Sequence, residues 1–186
     1  RSAQTSNPFP MQASAVGMGW TCAICGEEHD TLPTVYGAPA PWPLLGVTPE
    51  EFEQRVETNA DLCVVDGKHF FVRGHIELRI EGQSDPFAWS VWCSLSHSSF
   101  ERMMETWTDD GRDEAPPYFG WLCTELPTYP STLHLKTHVQ NRKPGEVPLV
   151  HLEPTDHPLA VEQREGITIR RVEEIAHAVL GHGDRR

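Results

Sequence analysis

The chain has 186 residues, 38% of them apolar, which suits one domain with a buried core, and we expect no second domain. The chain has 27 Asp and Glu residues and 15 Lys and Arg residues, which gives a net charge of −12 at pH 7. This charge argues against nucleic acid as a partner, because phosphate binding needs a concentrated positive surface. No apolar run approaches the roughly 18 residues of a membrane span and no export pattern opens the chain, so we expect a cytoplasmic protein without a membrane partner.

The N-terminal third carries few regular patterns. Residues 1–19 have no apolar period, so we expect a disordered extension, or residues foreign to a natural chain that starts at Met11 or Met18. The single domain would then cover residues 20–186. Residues 32–49 are rich in proline and predict an extended surface connection. The capping-box pattern of Thr48 and Glu51 predicts a helix that ends near Asn59.

Alternating apolar residues predict the strands that follow. The Asp66-Gly67 pair predicts a hairpin turn between strands over 62–65 and 69–72, because both residues tolerate positive φ. Further strands are predicted over 75–80, 87–95, 118–124, 132–139 and 147–152, and helices over 98–107, 157–164 and 168–180. Together they predict an α+β fold, a mainly antiparallel sheet with helices on one face. The aromatic strand and helix residues are predicted to be core: Phe87, Trp89, Trp92, Trp107, Phe119 and Trp121.

The most specific chemical pattern is near the N-terminus. Cys22, Cys25 and His29 have the spacing of a zinc knuckle, with two thiols on one tight turn and Gly26 allowing the backbone to curl around a metal ion. Two alternatives stay open: reduced thiols at the edge of a small core, or redox chemistry. Redox chemistry is disfavoured because no helix start follows the cysteines to lower a thiol pKa.

Short motifs from Trp20 onward, taken in order, carry a family resemblance. They are Cys22-Ala-Ile-Cys25-Gly-Glu-Glu-His29, Asp61-Leu-Cys63-Val, Phe70-Phe-Val-Arg73-Gly, Trp89-Ser-Val-Trp92 with Ser94-Leu-Ser96, Phe119-Gly-Trp121-Leu, Leu126-Pro-Thr-Tyr129-Pro, and His157-Pro-Leu-Ala-Val-Glu162-Gln163-Arg-Glu-Gly166-Ile167. Together they resemble the bacterial family called domain of unknown function 2199. The resemblance implies no activity or substrate. Cys63 matches the family pattern, whereas Cys93, Cys123 and His134 depart from it.

A closed zinc site needs a fourth ligand from elsewhere in the fold. On the family pattern, Cys63 is the first choice. His69, Cys93, Cys123 or a second imidazole are alternatives. A water in the fourth position would instead leave an open and potentially catalytic site.

Two further clusters have simple structural explanations. His134, Lys136 and His138 would share one face of a strand, where they could bind an anion or a metal, but a solvent-facing strand explains them more simply. The serines of residues 94–99 beside His97 could suggest a nucleophile, yet a helix cap at Ser98 explains them with fewer assumptions.

Arg73 closes an apolar strand, and polar residues gather near the start of the predicted helix over 157–164. If Arg73 faces His157, Glu162 and Gln163, the group is either a buried charge network or a pocket for a small polar ligand. A charge network is the favoured interpretation, because a partly buried arginine recruits a carboxylate.

The sequence therefore predicts a cytoplasmic, non-enzymatic domain with one structural zinc ion and a binding or interaction role. A first alternative is a metal-assisted hydrolase with an open zinc position and a carboxylate base from residues 153–165. A second is an acidic interaction protein, similar in manner to antitoxin or immunity proteins, with a basic protein partner.

Overall fold

The computed structural model describes residues 15–16, 19–22, 26–29 and 32–179. Its strands are β1 (Ala15–Val16), β2 (Trp20–Thr21), β3 (Glu28–His29), β4 (Leu32–Pro33), β5 (Val35–Gly37), β6 (Val56–Thr58), β7 (Leu62–Val65), β8 (His69–Leu78), β9 (Phe87–Leu95), β10 (Tyr118–Leu122), β11 (Lys136–Gln140) and β12 (Leu149–Leu152). Its α-helices are α1 (Phe52–Arg55), α2 (His97–Glu105), α3 (Pro158–Glu165) and α4 (Ile169–Val179).

Five strands close into a barrel. β8 and β9 form a long antiparallel hairpin, and β10, β11 and β12 continue the antiparallel order from β9. β12 then returns to β8 and pairs with it in parallel at Leu149 and His75, which closes the ring. The predicted mainly antiparallel sheet with helices on one face is therefore wrong. The domain is mostly sheet, a closed five-stranded barrel with additional strands and few helices.

The closure of the barrel depends on contacts between distant parts of the chain. The N–H of His75 donates to the carbonyl of Pro148 at 2.8 Å. Next to this contact, the side-chain amide of Gln163 on α3 accepts from the N–H of Leu152 at 2.8 Å and donates to the carbonyl of Val150 at 2.7 Å. A side-chain amide thus satisfies backbone groups of β12 that a neighbouring strand would otherwise bind.

The barrel interior is the main core. Inward-facing residues of the barrel strands meet apolar residues of α2, α3 and α4, including Met103, Leu159 and Ile175. Trp89 is fully buried, in edge-to-face contact with Phe87. Aromatic rings of this size bury large apolar areas, and they explain why a narrow barrel can be stable.

The remaining strands extend the barrel sheet. β7 pairs with β8 through the predicted Asp66-Gly67 turn, where both residues have positive φ, and this hairpin is confirmed. β6 pairs with β7, and β5 pairs in parallel with β9. The proline-rich segment is not only a connection, because Trp42 and Leu45 pack on a second apolar cluster outside the barrel.

The helix predicted from Thr48 to Asn59 is only one turn long. Glu51 does accept from the N–H of Thr48 at 3.0 Å, as the capping box requires. The helix ends at Arg55, however, and Val56 is extended and pairs with Val65. A β-branched residue facing the β7–β8 hairpin prefers the strand, so tertiary pairing overrides the local helix signal.

Parts of the N-terminal region are described. Most of the expected disorder over residues 1–19 falls outside the described residues, whereas Ala15 and Val16 pair with Leu32 and Pro33. In the ranges that the structure describes, no helix has both the length and the apolar character needed to cross a membrane.

Substitution of Gly120 on β10 tests how closely β10 packs against β9. A Cβ atom at Gly120 would lie 2.5 Å from the carbonyl oxygen of Ser94, so strand β10 would have to shift away from β9. We expect Gly120→Ala to lower the free energy of unfolding by about 1–3 kcal/mol in urea denaturation. Gly111→Ala is the control, because no atom lies within 4 Å of its added Cβ. Equal stability of the two variants would contradict this packing.

Candidate functional site

The N-terminal hairpin is a short antiparallel strand pair. β2 and β3 pair antiparallel, and the N–H of Cys22 donates to the carbonyl of Glu27 at 2.9 Å. The carbonyl of Cys22 accepts from the N–H of Gly26 at 2.8 Å, with Gly26 at φ 73°, a conformation that favours glycine. The chain thereby folds back between Cys22 and Gly26, and Cys25 lies outside the described residues.

Two imidazoles belong to this region. The ring of His29 stacks on its cross-strand neighbour Trp20, with ring centroids 4.9 Å apart. Cys22 is 1% exposed, and its Sγ atom lies 3.9 Å from Nδ1 of His177 on α4. This second contact was not predicted from the sequence, because nothing in the apolar period of α4 distinguishes His177.

Cys63, the expected fourth ligand, lies in an apolar environment. It is fully buried on β7, in the cluster that contains Val65, Phe71 and Trp92. Burial raises the pKa of its thiol, which disfavours the thiolate that a metal needs. Among the described residues, no three His, Cys, Asp or Glu side chains form a group that could hold a metal ion. Cys22, His29 and Cys63 are therefore not brought together.

The other two described thiols are also unsuited to ionisation. Burial raises the pKa of Cys93 to about 12 and also raises the pKa of Cys123. The hydroxyl of Thr137 donates to Cys93 at 3.6 Å inside the barrel. Both residues are best explained as packing residues.

The four residues proposed as a ligand pocket occupy different environments. Arg73 forms an ion pair with Asp61 at 2.8 Å. His157 caps α3 by accepting from the N–H of Leu159, and Gln163 binds the backbone of β12. The expected carboxylate partner of the arginine exists, but it comes from the start of β7 and not from α3.

Glu162 lies in a partly buried network that joins α3 and α4 to the loop before β11. It accepts from the hydroxyl of Tyr129 at 2.5 Å and from Nε of Arg171 at 2.8 Å. Arg171 also lies over the Tyr129 ring at 5.2 Å, and it donates to the side chain of Thr128, which has a φ of 71°. Positive φ is strained for a β-branched residue, so this network holds an unfavourable loop conformation in place.

The serine-rich segment forms a helix cap. The cap residue of α2 is Ser96, not the predicted Ser98, and its hydroxyl accepts from the N–H of Ser99 at 3.2 Å. His97 pairs with Glu101 at 3.2 Å on the exposed side of the helix. The imidazole is thus engaged with a helix neighbour, which leaves the capping interpretation as the better one.

Outside the barrel, β10 presents two exposed aromatic rings. Phe119 and Trp121 are 43% and 40% exposed, and their rings meet edge to face with centroids 5.4 Å apart. Their prediction as core residues is wrong, because alternation on β10 turns Tyr118, Gly120 and Leu122 inward instead. On the neighbouring strand, Lys136 and His138 are their cross-strand partners.

Two clefts flank Trp121. One, of about 280 Å³, is lined by residues that include His134, Lys136 and Glu153. The other, of about 530 Å³, is lined by residues that include His134, Lys68 and His69. Glu153 is the one carboxylate that lines either cleft in the described part of the chain, and it pairs with Lys136 at 3.8 Å.

A third cavity, of about 300 Å³, lies on the outer side of β8 and β12. His75, Glu77 and His151 line it. Burial, together with the positive charges of Arg73 and Arg142, lowers the pKa of His75 to about 4, although Asp61 opposes the shift. The Nε2 atom of His75 is buried and has no hydrogen-bond partner among the residues that the structure describes, which fits a neutral imidazole.

The buried imidazole makes stability depend on pH. The pKa of His75 is lower in the folded state than the usual 6.5, so the unfolded state binds the proton more readily between pH 6.5 and about 4. Its contribution to stability is present above pH 6.5 and is lost as pH falls through that window. We expect the parent to lose about 2 kcal/mol more than His75→Gln between pH 7 and pH 4 in chemical denaturation. Parallel pH profiles for the two proteins would show that His75 does not titrate in this way.

Barrel, hairpin and outer face together define a mostly β domain. A family model described as an uncharacterized protein conserved in bacteria (DUF2199) matches residues 21–167, and the chain belongs to this family. The resemblance seen in the sequence motifs is thus confirmed. No curated protein and no solved structure matches the chain.

Proposed function

We propose that the protein is a binding domain whose N-terminal hairpin holds one structural zinc ion. The observation that carries the zinc proposal is the turn from Cys22 to Gly26, with its backbone hydrogen bonds and the positive φ of Gly26. Cys25 enters through the sequence spacing. Zinc would supply folding free energy at this turn rather than chemistry.

The small size of the hairpin supports a need for a cross-link. β2 and β3 have two residues each, and two-stranded hairpins of this size are not stable alone in water. The buried sulfur of Cys22 and the nearby imidazole of His177 are both chemically suited to zinc. Bound metal would offset the chain entropy that so short a hairpin cannot recover by packing.

The state of the carboxylates favours a structural ion over a hydrolase. The alternative enzyme needs a free carboxylate base from residues 153–165. Glu153 pairs with Lys136 and His138, and Glu162 is bound by Tyr129 and Arg171. These two of the four carboxylates in residues 153–165 are therefore poorly placed to accept a proton from a metal-bound water.

Zinc binding predicts one equivalent of metal per chain in protein purified without added zinc. We expect Cys22→Ser and Cys25→Ser each to lose the metal and to lower the melting temperature, because each removes a thiolate ligand. Cys123→Ser is the control and should retain both the metal and the melting temperature. Metal-free parent protein, or metal retained in both hairpin variants, would rule out this site.

For the binding role, we propose the outer face around Phe119 and Trp121. Exposed aromatic rings beside Lys136 and His138 suit a ligand that combines an aromatic or apolar group with negative charge. Lys136 and His138 both pair with Glu153, so an anionic ligand would compete with that carboxylate for them, on a chain whose net charge is −12. The expected basic partner would have to bind elsewhere, on the acidic remainder of the surface, and stays a prediction.

An anionic aromatic dye tests this face. We expect Trp121→Ala to weaken the binding of 8-anilinonaphthalene-1-sulfonate about fivefold, measured by fluorescence titration, because the ring supplies a stacking surface. Lys136→Gln should weaken binding and reduce its salt dependence. Ile169→Ala, which removes an exposed apolar side chain on α4, is the matched control. Equal dye affinity for the parent and for Trp121→Ala would refute this assignment.

A further inference from the structure

We infer that the larger of the two clefts beside Trp121 binds a small carboxylic acid with a flat aromatic body. The inference rests on the binding role proposed for the outer face, and it names the class of ligand and the groups that bind its charge. The cleft has a volume of about 530 Å³, a size typical of pockets that hold small molecules. Lys68, His69 and His134 bind the carboxylate, and the Trp121 ring contacts the aromatic body.

A row of three neighbouring side chains forms the apolar part of the larger cleft. Phe71 on β8 pairs with Ser94 on β9, and Ser94 pairs with Trp121 on β10, so the three side chains share the outer face of the barrel. Neighbouring strands lie about 4.8 Å apart, which separates the backbones at Phe71 and Trp121 by roughly 10 Å. The small serine between two large rings leaves a recess that suits a flat ring, and Leu45 and Leu95 add apolar surface.

The ionisable groups at the mouth of the larger cleft are basic. Lys68, His69 and His134 line it, and no Asp or Glu belongs to the lining in the part of the chain that the structure describes. Asp66 lies in the same hairpin turn as Lys68, but its two carboxylate oxygens accept from Arg55, at 2.9 and 2.7 Å. A ligand carboxylate can therefore approach the ammonium and imidazole groups without displacing a carboxylate of the lining.

The smaller cleft is a less favourable place for the same charge. There Lys136 pairs with Glu153 at 3.8 Å, and the neighbouring His138 pairs with the other oxygen of Glu153 at 3.5 Å. An incoming anion would have to break these pairs and would approach a like charge. Trp121 lines both clefts, so its ring can contact a ligand in the larger one while Lys136 keeps its carboxylate partner.

The donors of the larger cleft favour a carboxylate over a phosphate. The ammonium of Lys68 and the N–H groups of the two imidazoles each offer single-point contacts. Arginine, which binds phosphate groups through two parallel hydrogen bonds, does not occur among the described lining residues. A net charge of −12 also repels a phosphate dianion more strongly than it repels a single carboxylate.

The backbone of His134 supports a role for its side chain in binding. Its φ is 64°, which is uncommon for a residue with a Cβ atom. The N–H of His134 donates to the carbonyl of Leu122 at 2.8 Å, and this bond fixes the loop before β11 beside the end of β10. Such backbone strain is concentrated at ligand sites, where the position of a side chain matters more than local stability.

Isothermal titration calorimetry with naphthoate and with naphthamide, its uncharged analogue, tests the ligand class. We expect the parent to bind naphthoate more tightly than naphthamide. Lys68→Gln should weaken naphthoate binding about threefold to fivefold, the effect of one solvent-exposed ion pair, and leave naphthamide binding unchanged. Lys143→Gln is the matched control, because it removes the charge of an exposed lysine on the loop between β11 and β12. It should bind both compounds as the parent does.

A second variant separates binding from stability. Glycine adopts a φ of 64° without strain, so His134→Gly should keep the melting temperature of the parent while it binds naphthoate more weakly. A histidine with a purely structural role would leave naphthoate affinity unchanged.

The outcomes distinguish this inference from the proposed binding role. Equal affinity of the parent for naphthoate and naphthamide, or no binding of either, would overturn the inference. Parent-like naphthoate affinity in Lys68→Gln, or a larger loss in Lys136→Gln than in Lys68→Gln, would also overturn it. The proposed role of the outer face would still stand if Trp121→Ala weakens binding of the anionic dye. Unchanged affinity of Trp121→Ala for both naphthoate and the dye would overturn the inference and the proposed role together.

Discussion

The parallel contact between β12 and β8 is the constraint on which the rest of the structure depends. It turns a run of antiparallel strands into a closed barrel through the pairing of Leu149 with His75. Gln163 completes the closure by binding the backbone of β12, and this fixes α3 against the barrel. Its neighbour Glu162 then faces Tyr129 and Arg171, which joins α3 to α4. The position of α4, and so of any residue on it, follows from this closure.

The parts of the fold that the sequence predicted are those set by local chemistry. The Asp66-Gly67 turn needs two positive φ angles, and its residue types reveal that need directly. Barrel closure cannot be predicted from local residue types, because a residue that pairs with a distant strand has the same composition as any other strand residue. Val56 is a second case in which long-range pairing decides the structure. The capping box predicts a helix, but the pairing of Val56 with Val65 ends that helix after one turn.

The candidate site also contains local features that the sequence predicts and long-range contacts that it does not. The spacing of Cys22, Cys25 and His29 is visible in the sequence because the three residues are close together along the chain. The contact between Cys22 and His177 depends on α4 returning to the N-terminal hairpin, which only the folded structure reveals. Arg73 obtained a carboxylate partner as expected, yet Asp61 could not be chosen from the sequence over the acidic residues near α3. Phe119 and Trp121 face outward because register, rather than residue type, decides which side of a strand is buried.

The central proposal is that the N-terminal Cys-x-x-Cys segment binds one structural zinc ion. X-ray absorption at the zinc edge of the purified protein tests it most directly, because sulfur and nitrogen neighbours have different bond lengths and scattering. The account predicts two sulfur neighbours at about 2.3 Å, with the remaining neighbours being nitrogen at about 2.0 Å and showing the outer-shell scattering of imidazole. Protein that holds no zinc, or zinc without sulfur neighbours, would contradict the account.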